Sequence, residues 1–251
     1  MNNQLLTEIQ QSIKNTVKDE QIGIAFSGGV DSTLMTKVLY DLGYKIHLFT
    51  IGFHDSHDIN FAKEVNLILK LPHSILEIEQ KDFGKISEKI YDLIKTDNLS
   101  WNENSIAFYY VAKLAHENGI KKVVTANGID ELFCGYNSYR EAIGIGEDKV
   151  IQMMNEKLCN EKDMMVAINN VTAEFNVEIL QPLLSPDFIE YAKKIPISEK
   201  IHGLDDMKRK HIIRKLAIDC GVPEISAYKQ KKALQYGSQI HKSLLKSRKI
   251  S

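Results

Sequence analysis

Cysteine is scarce in this sequence, and its few occurrences exclude two classes of protein. The chain has three cysteines among 251 residues. They are far apart, form no Cys-x-x-Cys pair and are odd in number: Cys134, Cys159 and Cys220. This usage argues against a disulfide framework and against the usual structural zinc patterns, and it favours reduced thiols in a cytoplasmic protein.

Long apolar runs and a strong net charge are also missing. No apolar stretch reaches the roughly 18 residues of a membrane-spanning helix, and the start of the chain lacks the apolar core of a signal peptide. We therefore expect no membrane partner. The formal net charge of -1 argues against nucleic acid binding over the whole surface. The segment 227–251 is an exception, because it has basic and no acidic residues; its charge fits either a solvated helix or an arm that closes over phosphates.

The first half of the chain alternates between short apolar runs and helical patterns. Strands are predicted at 21–26, 45–51, 73–79 and 121–126, and helices at 32–43, 58–71, 82–95 and 103–118. Such alternation gives parallel strands joined by helical crossovers. We therefore predict an α/β fold with a doubly wound parallel sheet, whose ligands bind beyond the carboxyl ends of the strands.

The second half reads as mainly helical. Helices are predicted at 188–195, 207–221 and 239–247, and 178–186 is the one extended piece. We expect a division into 1–138 and 139–251, with the helical half packed on the sheet so that the two form one continuous domain.

The stretch SGGVDS, residues 27–32, follows the first predicted strand and opens the first predicted helix. Backbone N–H groups and a helix dipole meet at such a junction and attract phosphate. Glycine permits close approach of the ligand, and serine adds hydroxyl groups. Asp31 would repel a phosphate unless a cation such as Mg²⁺ lies between them. The residues alone leave a simple tight turn as the alternative.

This stretch resembles the pyrophosphate-binding loop, or PP-loop, of the ATP pyrophosphatase superfamily, whose fold is adenine nucleotide alpha hydrolase-like. The resemblance implies that the chain binds ATP and splits it to AMP and pyrophosphate while adenylating a substrate. It also implies that pyrophosphate is held by Ser27, Gly28, Gly29 and Ser32, with Asp31 on Mg²⁺.

Further stretches resemble the asparagine synthetase-like branch: residues 50–78, TANGIDELFCGY at 125–136, KHIIR at 210–214 and YKQKKALQYGS at 228–238. The resemblance implies that the base lies against Ile51 and Gly52, and that Thr125 and Gly128 are beside the nucleotide. Asp130 would be the second Mg²⁺ ligand. Lys210 would stabilise charge on the α-phosphate and the departing pyrophosphate. Lys229 and Lys231 would close over the triphosphate.

A cluster of His54, Asp55, His57 and Asp58 suggests a metal site as an alternative. The resemblance instead implies a turn followed by a helix capped by Asp58.

The acceptor side departs from the branch pattern. Asn127 stands where asparagine synthetases have a glutamate, and an amide cannot act as a general base. Leu180 and Ser185 replace an arginine and an aspartate of the branch. We expect Asn127 and Glu178 to face the acceptor, and we do not expect aspartate as the substrate. The chain is also expected to lack the glutaminase domain of asparagine synthetases, so that the amine comes from solution or from a separate glutaminase or amine-donor subunit.

The resulting prediction is an ATP-dependent, AMP-forming ligase that adenylates a carboxylate or amide of a small-molecule acceptor for attack by ammonia or an amine. One alternative is a tRNA-modifying enzyme that adenylates a nucleobase. Another is a non-catalytic ATP-binding subunit of an amidotransferase. The oligomeric state stays open, with a homodimer among the alternatives.

Overall fold

One parallel sheet forms the centre of the structure. The computed structural model describes residues 2–230 and 232–247. In that part of the chain the strands pair in the order β3-β2-β1-β4-β5, and every pairing is parallel. The strands are β1 Gln21–Ala25, β2 Lys45–Gly52, β3 His73–Glu77, β4 Lys122–Val124 and β5 Glu178–Leu180.

Helices cover both faces of this sheet. Their bounds are α1 Asn2–Thr16, α2 Val30–Asp41, α3 His57–Leu69, α4 Gln80–Ile94, α5 Leu99–Glu117, α6 Ile129–Leu132, α7 Ser138–Ile145, α8 Glu147–Thr172, α9 Pro186–Lys194, α10 His211–Asp219, α11 Glu224–Ala227, α12 Leu234–Gly237 and α13 Ile240–Ser247. Short 3₁₀ turns occupy Ala173–Phe175, Pro182–Leu184 and Ile197–Glu199.

The alternation of side chains along each strand produces two apolar layers. Ile24 and Leu48 join a cluster with α1, α2 and α10. Phe49 and Ile51, on the opposite face of the sheet, join a second cluster with α5, α8 and α13. Because both faces are buried, the strands read as continuous apolar runs, as parallel strands usually do.

The predicted doubly wound sheet with a helical second half is confirmed. The extended piece expected at 178–186 contributes more than predicted, since Glu178–Leu180 pairs with β4 as a further strand of the sheet. The division at 138/139 stays a prediction. None of the described helices combines the length and apolar character needed to cross a membrane.

The helix predicted at 207–221 is wrong at its start. Arg209 and Lys210 have φ angles of 50° and 52°, a left-handed conformation that costs a non-glycine residue about 1 kcal/mol or more. The chain therefore forms a loop up to Lys210, and α10 begins only at His211. This loop delivers Lys210 to the site described next.

Candidate active site

A large pocket opens beyond the carboxyl ends of β1, β2 and β4. Its volume is about 460 Å³. The base of the pocket is formed by the sheet, one wall by the PP-loop and α3, and the opposite wall by α5 and α8. Of the predicted site residues that the structure describes, it contacts Ser27, Gly29, Asp31, Ser32, Ile51, Thr125, Asn127, Asp130, Lys210 and Lys229.

The PP-loop is held in a compact turn by its own serines. The Oγ atoms of Ser27 and Ser32 lie 3.3 Å apart, and the Ser32 hydroxyl also donates to the carbonyl oxygen of Gly29 at 3.3 Å. Gly29 is the N-cap of α2 without a side-chain cap. The first N–H groups of this helix therefore lie at the pocket, where an anion can accept from them.

Gly28 shapes this loop without lining the pocket. Its φ of 76° suits glycine, and a Cβ here would lie 3.2 Å from the backbone of Ala62. Its carbonyl accepts from the buried hydroxyl of Ser226 at 2.6 Å. The loop is thus packed against α3 on one side and tied to α11 on the other.

Lys210 joins the two halves of the site. Its Nζ atom lies 2.6 Å from Oδ2 of Asp31 and 2.9 Å from Oδ1 of Asp130. The lysine side chain is 1% exposed, and the aspartate side chains are 22% and 20% exposed. Burial alone would lower the pKa of Lys210, but Asp130 and Asp31 raise it above its ordinary value. The ammonium is therefore a fixed positive charge.

The same two carboxylates suit a hard divalent cation. Asp31 and Asp130 come from different elements, yet both reach a single ammonium group, so one cation could contact an oxygen from each. Carboxylate oxygens are what Mg²⁺ prefers. Gly135 makes room for this arrangement, because a Cβ there would lie 1.8 Å from Oδ1 of Asp130. The residues present therefore fit a Mg²⁺ ion.

Arg214 ends the KHIIR stretch and supports the loop around Lys210. Its Nε atom donates to the carbonyl of Arg209 at 3.0 Å, and Nη1 donates to those of Ala227 and Lys229 at 2.5 and 3.1 Å. A planar guanidinium can bind several carbonyls at once. These bonds connect the loop that carries Lys210 to the start of the basic segment 227–251.

The residues predicted to contact the nucleotide differ in whether they line the pocket. Ile51 and Thr125 line it and are each 2% exposed. Gly52 and Gly128 lie behind it, where side chains would clash: a Cβ on Gly52 would lie 2.3 Å from Oγ of Ser56, and one on Gly128 would lie 2.8 Å from the carbonyl of Leu183.

The basic segment reaches the same pocket. Lys229 lines it, with Nζ 4.2 Å from the ring centroid of Phe61, and Lys232 lines it as well. Lys231 lies outside the described residues, so its predicted contact with the triphosphate stays a prediction.

The wall formed by α8 carries a buried carboxylate. Glu161 is 4% exposed, and its Oε1 accepts from Nδ2 of Asn127 at 2.5 Å. One helical turn earlier, Lys157 lines the pocket with Nζ 4.4 Å from the ring centroid of Tyr136. A carboxylate, an amide and a lysine therefore face the pocket on the side away from the PP-loop.

Two predicted placements differ from the structure. Glu178 is not brought to the pocket: it is exposed at the start of β5, and its carboxylate lies 3.8 Å from Lys122. The pocket lies beyond the other end of the strands. Asp58 does not cap α3, because Ser56 is the N-cap and Asp58 lies inside the helix, 3% exposed at the pocket wall. Among the described residues, the group around His54 does not converge on a metal site.

Glu161 was missed because no motif marks it. The sequence does carry a signal, since Glu161 shares the face of Leu158, Met165 and Ile168, which are buried apolar residues at helical spacing. A carboxylate in an apolar stripe is costly unless it is paired, and such a residue is a reasonable candidate for a site.

The fold and this pocket define an α/β protein with a parallel sheet and a binding pocket beyond the carboxyl ends of its strands. The family model described as asparagine synthase matches residues 4–165 and 147–249. The chain belongs to this family, which is a family of ATP-dependent ligases.

The similar proteins are asparagine synthetases. A putative glutamine-hydrolysing asparagine synthetase 1 of Methanocaldococcus jannaschii is 29% identical over 95% of this chain and 50% of its own length. Asparagine synthetase B of Escherichia coli is 25% identical over 92% of this chain and 44% of its own length. The chain thus spans about half the length of the curated relatives it matches. Among solved structures, NMN synthetase from Francisella tularensis matches with a TM-score of 0.49 and 15% identity, over 94% of this chain and 75% of that chain.

Proposed function

We propose that this chain is an ATP-dependent ligase that adenylates a carboxylate or amide oxygen of a small acceptor and passes the activated group to ammonia or another amine. The observation that carries this proposal is the position of Lys210, buried between Asp31 and Asp130 beside the PP-loop. A nucleotide sensor needs a binding loop, but it has little need for a buried cation placed where phosphate charge develops.

The nucleotide half of the pocket suits ATP. The polyphosphate would accept from the backbone N–H groups at the start of α2 and from the hydroxyls of Ser27 and Ser32. The base would lie against Ile51 and Thr125, at the carboxyl ends of the strands. Lys229 would approach the polyphosphate from the basic segment.

Mg²⁺ would be held by Asp31 and Asp130 and would offset the negative charge of the polyphosphate. The acceptor oxygen attacks the α-phosphorus, the bond to the β-phosphate oxygen breaks, and pyrophosphate leaves with the bonding electrons. Lys210 meets the charge that develops on the α-phosphate and the leaving group.

Glu161 supplies the base that the sequence lacked at position 127. The amine attacks the activated carbon of the adenylate, and the bond from that carbon to the phosphate oxygen breaks to release AMP. The amine must also lose a proton, and a carboxylate in hydrogen-bonding reach can take it. Asn127 donates to Oε1 of Glu161 and so fixes the direction of the carboxylate. Asn127 is accordingly proposed as a positioning residue.

The acceptor is expected to be small and polar. The remaining wall combines polar and apolar side chains, Ser100, Asn104, Phe108, Asn160 and Met164, and Lys157 makes no ion pair with any described residue. The glutamine-hydrolysing relatives suggest ammonia as the amine, from solution or from a separate subunit. A tRNA acceptor is the second proposal to be tested, on the basis of the basic segment alone.

The test is a pyrophosphate-release screen with Mg²⁺ and ATP, with and without ammonium, across amino acids, other small carboxylates and bulk tRNA. We expect a small carboxylate to release pyrophosphate and AMP, and Lys210→Ala to abolish the release. Lys193→Ala, in the last turn of α9 and remote from the pocket, is the matched control and should behave as wild type.

Failure of every acceptor to release pyrophosphate, while calorimetry shows that ATP binds, would favour the non-catalytic subunit. Release with tRNA alone would favour the tRNA-modifying alternative.

A further inference from the structure

A second cluster of metal-ligand side chains lies outside the pocket, in the loop that leads to Lys210. His202, Asp206 and His211 each place one ligand atom so that the three atoms lie within 4.8 Å of one another. We propose that these residues bind one divalent transition-metal ion such as Zn²⁺, and that the ion fixes the conformation of the loop that leads to Lys210. The ATP-binding pocket and its chemistry do not require this ion.

The chemistry of the ligands selects the class of metal. Two imidazoles and a carboxylate suit Zn²⁺, Ni²⁺ or Cu²⁺, whereas Mg²⁺ and Ca²⁺ prefer oxygen ligands alone. Three protein ligands leave a fourth tetrahedral position for water. The cluster therefore differs in preference from the oxygen-only pair Asp31 and Asp130.

Asp206 is already oriented as a ligand would be. Its carboxylate accepts backbone N–H groups of His202, Lys208 and Arg209 at 2.9, 3.1 and 2.9 Å. Hydrogen bonds of this kind hold carboxylates in place around metal ions, and an ionised carboxylate is the form that binds metal.

The two histidines need only a small movement. Nε2 of His211 lies 2.6 Å from Oδ2 of Asp206, and the rings of His202 and His211 stack with centroids 3.6 Å apart and planes 5° apart. A metal lies in the plane of each imidazole that it binds, so one ring must turn out of the stack. His202 is exposed, so we expect its ring to be the one that turns. Ligand atoms around tetrahedral Zn²⁺ are about 3.3 Å apart, given bonds of about 2.0–2.1 Å.

The cluster lies where a bound ion would stabilise the conformation of the loop before Lys210. Asp206 binds the N–H of Arg209, and His211 follows directly after Lys210. Both Arg209 and Lys210 have positive φ, and strain of this kind persists only where the surroundings enforce it. An ion bound at both ends of the 202–211 loop would enforce it more strongly than hydrogen bonds alone.

The test is a calorimetric titration of the whole chain with Zn²⁺, without ATP and in excess Mg²⁺ to occupy the oxygen-only pair. We expect one equivalent to bind and the melting temperature to rise. His202→Ala, at an exposed position, should weaken binding by about tenfold or more and abolish the rise. His54→Ala is the matched control, because His54 is also exposed and contacts Asp55 and Glu77; it should bind like wild type.

Equal Zn²⁺ affinity in wild type and His202→Ala would overturn the proposal, as would absence of binding to the wild type. In either case the role of Asp206 would be limited to its hydrogen bonds within the loop. Because ATP is absent, these outcomes do not depend on the proposed ligase activity.

Discussion

Nζ of Lys210 lies 2.6 Å from Oδ2 of Asp31, although the two residues are 179 positions apart in the chain. The contact brings a residue from the loop before α10 to the first turn of α2. A Mg²⁺ ion bound as proposed would use the same carboxylate as the ammonium group of Lys210. The two cations would then repel each other at this position.

Lys210→Met should bind Mg²⁺ or Mn²⁺ more tightly than the wild type when ATP is absent. Removing the positive charge of Lys210 lowers its repulsion of the metal ion. Two unit charges about 4 Å apart interact by about 1 kcal/mol in water and by about 4 kcal/mol near a protein surface. We expect a gain of roughly tenfold or more, measured by titration with Mn²⁺ and electron paramagnetic resonance.

The control for this titration is Lys157→Met, which removes a pocket lysine that contacts the Tyr136 ring rather than Asp31 or Asp130. It should leave Mn²⁺ affinity close to wild type. If folded Lys210→Met bound Mn²⁺ no better than wild type, the two cations would not share the carboxylates.

Glu161→Gln should slow amine transfer more than adenylation. The amide keeps the shape of the side chain but cannot accept a proton from the amine, and general base catalysis contributes about a hundredfold or more. Adenylation is followed by exchange of labelled pyrophosphate into ATP, and transfer by product formation with the acceptor found in the screen. Glu156→Gln, a carboxylate on the exposed face of α8, is the control. Equal losses in both assays would assign Glu161 to binding rather than to proton transfer.

Gly135→Ala should weaken binding of Mg²⁺ and ATP, since the new Cβ would lie 1.8 Å from Oδ1 of Asp130. The carboxylate has to turn away, and calorimetry should show a loss of about tenfold or more in affinity for Mg·ATP. Gly84→Ala is the matched control: apart from its chain neighbours and the backbone of its own helix, no atom lies within 4 Å of its Cβ position, and α4 should gain about 1 kcal/mol of stability from the change. Unchanged Mg·ATP affinity in Gly135→Ala would mean that Asp130 does not hold the metal.

The sheet could be predicted because its determinants are local. Each strand of the first half is an apolar run next to a helical pattern, and parallel strands buried on both faces produce such runs. The loop before Lys210 could not be predicted in this way. Its residues have helical propensity, and the left-handed conformation at Arg209 and Lys210 depends on distant groups, among them Asp31 and Asp130, which contact the ammonium of Lys210.

The candidate site divides in the same manner. Asp31 and the PP-loop could be found because spacing within one short segment creates the geometry. Glu161 lies 34 positions from Asn127, so only the packing of α8 beside the sheet reveals the pair. The expectation for Glu178 came from a motif, whereas the start of a parallel strand lies at the end away from the pocket.

Asp58→Asn should remove a pH-dependent loss of stability. Burial raises the pKa of Asp58 from 3.8 to about 7, and Lys232 opposes part of the rise. At a pH well below 3.8 the carboxyl is protonated in both states and costs nothing. As the pH rises towards 7, Asp58 ionises in the unfolded state but stays largely protonated in the folded state. Its contribution therefore favours the unfolded state increasingly. The full effect is roughly 3–5 kcal/mol, at about 1.4 kcal/mol per pKa unit.

Urea unfolding at pH 5, 6, 7 and 8 measures this effect. The wild type should lose stability over this range relative to Asp58→Asn, and the difference should level off above pH 7. Asp92→Asn, on the exposed face of α4, should follow the wild type at every pH. If Asp58→Asn instead followed the wild type, a positive charge in the folded protein would have to stabilise the Asp58 carboxylate enough to cancel the effect of burial. Lys232 lines the same pocket, and Lys232→Met would then show whether its charge is responsible.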